Sequence, residues 1–173
     1  MILDEIVADK QEELEASKRA LPLSGLEKEA LRQPPPLDFA AALRGKGVRL
    51  ITEVKKSSPS KGLIRADFDP VAIAQTYAAN GASAISVLTE VKHFQGSLSY
   101  LPAIKAALGD KKIPLLRKDF LTDPYQIYES RANGADALLL IVAILPAAKL
   151  KELLELSHKL GMSCLVEVHN ESE

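Results

Sequence analysis

Cysteine is nearly absent. Among 173 residues the only one is Cys164, which excludes an intrachain disulfide framework and any multi-cysteine zinc site. An excess of charge of one sign is missing too: 22 basic and 23 acidic residues leave a formal net charge of −1. That balance gives no support to a general nucleic-acid or membrane-surface role. A few local lysines would still suffice to hold a phosphorylated small molecule. No apolar run approaches the roughly 18 residues of a membrane span. The opening stretch through Asp4, Glu5 and Asp9 is acidic and amphipathic, unlike a signal or transit peptide. These absences lead us to expect a cytoplasmic protein. The length suits one domain with a sizeable core. A composition of 47% hydrophobic and 26% charged residues is that of ordinary globular chains.

What is present is a rhythm. Apolar, branched-residue-rich runs lie at Val48–Val54, Ala84–Leu88, Ile113–Leu116, Ala137–Val142 and Ser163–Val168. Between them sit segments with helical apolar spacing, Val71–Ala79, Tyr100–Leu108, Pro124–Ala132 and Pro146–Leu160. Strand, helix and strand at about 30 residues per unit is the βαβ period, which predicts a parallel sheet. Gly81, Gly109, Gly134 and Gly161 fall where the helices should stop, because glycine takes the left-handed conformation that ends a helix. Two of these stops are near-copies, Asn80-Gly81-Ala82-Ser83-Ala84 and Asn133-Gly134-Ala135-Asp136-Ala137. Residues 1–45 differ. Leu3, Ile6, Val7 and Leu14 predict an amphipathic helix, and a short second helix is expected near Phe39–Leu43, after Gln33-Pro34-Pro35-Pro36. We therefore divide the chain into an N-terminal helical extension, 1–45, packed on a partial barrel, 46–173.

In a strand, residues two apart share a face. Across Arg49–Lys55 this groups Ile51, Glu53 and Lys55 on one side, and Leu50 and Val54 on the other. If the apolar set meets surrounding helices, Glu53 and Lys55 point inward at the C-terminal end of the strand, where active sites of parallel barrels lie. A solvent-facing strand with an ordinary ion pair is the competing reading. Lys118 closes the third run and Glu167 sits near the end of the fifth, so four ionisable residues are expected at one level of buried strands. Unpaired charges are costly to bury, and their repeated use there points to a site. Lysines and glutamates so placed suit proton transfers on an anionic, phosphorylated substrate without a metal. The loop Lys55-Lys56-Ser57-Ser58-Pro59-Ser60-Lys61-Gly62 could cover the anionic end of that substrate, or be a plain solvated loop. It lacks the glycine spacing of a Walker loop, which disfavours nucleotide hydrolysis. Cys164 and Met162 read as packing residues, and His93, His158 and His169 as bystanders.

Ile51-Thr52-Glu53-Val54-Lys55-Lys56-Ser57-Ser58-Pro59-Ser60-Lys61-Gly62 resembles the signature of the indole-3-glycerol phosphate synthases. The resemblance runs on through Ser86-Val87-Leu88-Thr89-Glu90, Phe94-Gln95-Gly96-Ser97, Leu116-Arg117-Lys118-Asp119-Phe120, Leu138-Leu139-Leu140-Ile141-Val142 and Leu165-Val166-Glu167-Val168. It implies an α/β fold of the TIM (β/α)8-barrel family, here with about five βα units plus the N-terminal helical extension. It also implies a reaction of tryptophan biosynthesis. In it, 1-(2-carboxyphenylamino)-1-deoxyribulose 5-phosphate closes its ring with loss of CO2 and water, with no cofactor and no metal. By the same resemblance Lys118 would be the general acid of ring closure. Glu167 would be a base or stabilise the cationic intermediate. Glu53 and Lys55 would position the substrate and assist dehydration. Ser58 would face the substrate from the first loop, and Phe94, Phe120, Leu139 and Ile141 would hold its aromatic ring.

A barrel of this type typically needs roughly 250 residues and eight strands. Only five strands are expected here, and the family's elements on strands six to eight are absent from the 173 residues. The polypeptide is therefore expected to be inactive or nearly so by itself, and to self-associate through open barrel edges. Two other readings stay open: a non-catalytic half-barrel assembly module, and another phosphosugar barrel enzyme such as phosphoribosylanthranilate isomerase.

Overall fold

The computed structural model describes residues 2–173. In chain order the elements are α1 (Ile2–Ala20), α2 (Leu23–Arg32), α3 (Phe39–Ala42), β1 (Ile51–Val54), β2 (Ser57–Ser58), β3 (Gly62–Leu63), α4 (Pro70–Ala79), β4 (Ala84–Leu88) and α5 (Tyr100–Leu108). They continue with β5 (Leu115–Lys118), α6 (Pro124–Ala132), β6 (Ala137–Ile141), a 3-10 turn at Val142–Ile144, α7 (Ala147–Lys159) and β7 (Ser163–Glu167). Strands β1, β4, β5, β6 and β7 form one parallel sheet in that order, each step crossing over through a helix. This is the expected succession of βα units.

Side-chain parity separates two cores. Val54, Ile85, Val87, Leu115, Leu138 and Leu140 face the helices and bury against Ile73, Leu101, Ile104, Ile127 and Leu153. The opposite parity gives Ala84, Leu116 and Ala137, which pack around Phe39 of α3. Phe39 thus closes the lower end of the sheet's concave face, while the upper end carries the polar residues. The helix stops follow one geometry. The amides of Ala82, Ala135 and Met162 reach back to the carbonyls of Tyr77, Ser130 and Ser157 at 3.0–3.1 Å. That closure requires a left-handed residue between helix and strand. Gly81 (φ 86°) and Gly134 (φ 80°) supply it.

Four expectations need correction. The first strand begins at Ile51, not Val48, and Val48 is 90% exposed. The third starts at Leu115, not Ile113, and runs through Lys118. Leu50, expected against the helices with Val54, is half exposed. Helix α2 was not anticipated; it packs on α6 through Leu26 and Ala30 with Tyr125 and Ala132. It is ten residues long and contains Gly25, so tertiary packing rather than propensity holds it.

Candidate active site

The upper ends of β1, β4, β5 and β6 surround a cavity of about 120 Å³. Glu53 and Lys55 form an ion pair at 2.7 Å on its wall, and the Ser86 hydroxyl lies 3.5 Å from Glu53 Oε2. Lys118 reaches Glu167 Oε2 of β7 at 3.3 Å. The four side chains are 31–35% exposed, sheltered enough to be held in place. Phe94 and Phe120 line the same cavity with ring centroids 6.0 Å apart, and buried Leu139 and Ile141 complete its apolar side.

Of the nine residues singled out in the sequence, seven line this cavity. Glu167 joins it through Lys118. Ser58 does not: it is buried, its oxygen takes the Lys61 amide at 3.3 Å, and it borders a neighbouring groove with Lys55, Phe94 and Phe120. The loop that holds it is a small hairpin, β2 with β3. The four ionisable residues are not at one level of the hydrogen-bond ladder. Glu53 is in register with Ser86, and Ser86 with Leu116, two residues before Lys118. Sheets of barrels are staggered in this way, because their strands tilt against the axis.

Beside this rim lies a charge network, reaching the cavity at Asp119, that strand parity alone does not reveal. Asp119 is fully enclosed and accepts from Lys10 Nζ (2.9 Å), Thr89 Oγ1 (2.5 Å), Arg117 Nη2 (3.0 Å) and the Phe120 amide (2.9 Å). Arg117 also meets Glu129 at 2.8 Å and the Ser130 hydroxyl at 3.1 Å. Burial alone would raise the Asp119 carboxyl. The charges of Arg117 and Lys10 outweigh it and hold the group down at about 2. Two signals in the sequence bear on this network. Arg117 sits at a helix-facing position of a buried strand, and Lys10 falls within the apolar stripe of Ile6 and Leu14. Charges in such places need partners.

Phe94 is held by a second buried carboxylate. Glu90 accepts the amides of Lys92 (3.0 Å), His93 (2.7 Å) and Phe94 (2.8 Å), and its own carbonyl takes the Gly96 amide at 2.7 Å. A Cβ on Gly96 would strike the carbonyl oxygens of Leu88 and Glu90, so only glycine lets the loop close. His169, a bystander by sequence spacing, stands 3.3 Å from Glu167. Cys164 packs on the helix side, as strand parity predicts, and burial pushes its thiol up.

A family model described as indole-3-glycerol phosphate synthase matches residues 3–173. The chain is 62% identical over 174 residues to the indole-3-glycerol phosphate synthase of Dehalococcoides mccartyi strain CBDB1, covering 100% of this chain and 67% of that protein. It is 54% identical to the protein of the same name from Roseiflexus sp. strain RS-1, covering 99% of this chain and 65% of that one. The corresponding Chromobacterium violaceum protein is 49% identical at the same coverage. The chain therefore spans about two-thirds of the length of these relatives.

Proposed function

This chain belongs to the indole-3-glycerol phosphate synthase family, and from that premise we propose how its rim residues divide the work. The family are TIM-barrel carboxy-lyases of tryptophan biosynthesis acting on a phosphorylated substrate. The observation that carries the reading is the meeting of two Lys–Glu pairs, Glu53 with Lys55 and Lys118 with Glu167, beside a cavity walled by Phe94 and Phe120. Such a cavity offers a flat aryl ring an apolar slot and offers the reacting carbons proton donors and acceptors on two sides.

In this reading the aryl ring of 1-(2-carboxyphenylamino)-1-deoxyribulose 5-phosphate lies in the apolar slot, with Leu139 and Ile141 beneath it. The ring carbon bearing the carboxylate attacks the ribulose carbonyl. Lys118 donates a proton to the carbonyl oxygen as it becomes a hydroxyl. Loss of CO2 restores the aromatic ring, and loss of that hydroxyl as water completes the indole. Glu167 stabilises the cationic intermediate or takes its proton. Lys55 holds anionic groups of the substrate, and with Glu53 it assists dehydration. Ser58 acts through the first loop rather than at the reacting carbons.

The same proposal treats residues 1–45 as an extension packed on the barrel portion, 46–173. It places the protein in the cytoplasm, on its single cysteine and balanced charge. Self-association is also proposed. β1 and β7 are the outer strands of the described sheet, and Ile51, Leu165 and Val166 on them are 38–40% exposed. The functional test is ring closure, followed by the fluorescence of the indole product in the full-length protein. Lys118→Ala should lower turnover at least a hundredfold with an unchanged circular dichroism spectrum. Near-normal turnover would refute the acid role of Lys118.

A further inference from the structure

Helix α1 grips both aromatic walls of the cavity, and from this we propose that Asp9 and Lys10 are positioning residues for Phe94 and Phe120. The two are neighbours in sequence but reach different loops. Asp9 takes Lys92 Nζ at 2.6 Å and His93 Nε2 at 2.7 Å, on the two residues that precede Phe94. Lys10, 4% exposed, meets Asp119 at 2.9 Å, and Asp119 in turn accepts the amide of Phe120 at 2.9 Å. Consecutive helix residues point about 100° apart, which is what one turn needs to hold two loops at once.

The consequence follows from where the aromatic residues sit. Phe94 and Phe120 lie on loops beyond the strand ends, where side chains ordinarily keep rotameric freedom. Their ring centroids are 6.0 Å apart, with the planes tilted by 39°. A slot walled by two mobile rings must be ordered each time a flat ligand enters, whereas a slot fixed from outside is ordered once, on folding. The contact of Lys10 with Asp119 is almost wholly dry, so water does not readily replace it. Ile6, one turn before Lys10, adds an apolar contact to the groove that Phe94 and Phe120 border. The extension thereby acts on affinity for the aryl group, and does not touch the reacting atoms.

The inference rests on the reading of the cavity as an aryl site, and the experiment separates the two. The full-length protein is labelled with 4-fluorophenylalanine, and the fluorine signals of residues 39, 68, 94 and 120 are assigned by Phe→Leu substitutions. In the ligand-free Asp9→Asn/Lys10→Met variant, the signals of Phe94 and Phe120 should broaden or shift. Those of Phe39 and Phe68 should not, since Phe39 lies at the far end of the sheet and Phe68 stacks on Tyr100. Anthranilate, titrated as the probe, should bind on the order of tenfold more weakly to the variant, and KM should rise more than kcat falls. Asp9→Asn alone leaves the buried Lys10 in place and should move the Phe94 signal more than that of Phe120, which keeps a test if the double variant does not fold. Unmoved Phe94 and Phe120 signals in a folded variant overturn the clamp. Moved signals in a protein whose wild type fails to hold anthranilate support the clamp and sink the aryl reading.

Discussion

Asp119→Asn tests the enclosed charge network most directly. The substitution keeps the side chain's shape and removes the charge that Arg117 and Lys10 share. Breaking a buried pair in this way leaves Arg117 with Glu129 and Lys10 with the exposed Glu13, at a cost of up to about 3–5 kcal/mol. Part of that cost can be worked from ionisation alone. The Asp119 carboxyl falls from 3.8 to about 2 on folding, which corresponds to about 2 kcal/mol of stability. Because the folded value is the lower one, this contribution is complete above about pH 5. It is lost as pH falls through 3.8 toward 2, and roughly half of it is gone at pH 3. The deficit of the variant should therefore shrink by about 1 kcal/mol between pH 7 and pH 3. Urea unfolding followed by circular dichroism at the two pH values measures both quantities. A deficit below about 1 kcal/mol at pH 7, or one equal at both pH values, would refute the claim that paired charge rather than shape holds Asp119 in place.

Two further outcomes follow from the loop and the sheet edges. Glu90→Gln replaces one of two acceptor oxygens, which together take three backbone amides, by an amide nitrogen, and should cost about 1–3 kcal/mol while raising KM through a displaced Phe94; unchanged urea midpoint and KM would show that the loop closes without the carboxylate. The 173-residue polypeptide should scatter light as more than a monomer, and Leu165→Lys, which puts a charge on an exposed apolar position of β7, should reduce that mass. A monomer at every concentration would end the self-association proposal.

Much of the architecture was legible because it rests on local rules. Apolar runs with glycine stops announce strands and helix ends wherever they occur, and Gly81, Gly134 and Gly161 all close their helices by the same hydrogen bond. The misplaced starts at Val48 and Ile113 have one cause. Apolar character marks which residues like a sheet, but hydrogen-bond register decides where pairing begins, and β1 pairs with β4 only from Ile51. Helix α2 is not legible in the sequence because its stability comes from α6, about a hundred residues away in sequence.

Strand parity and residue type by themselves determined that Glu53 and Lys55 face one way and Val54 the other, and the resemblance in motifs picked out Phe94 and Phe120. Tertiary structure alone decided that Lys118 is paired with Glu167, that Ser58 lies off the cavity, and that Lys10 and Asp119 meet. The physical reason is range. Alternation along a strand is fixed by backbone geometry within a few residues, whereas an ion pair across elements depends on the stagger of the sheet and on how a distant helix docks. No local pattern encodes either.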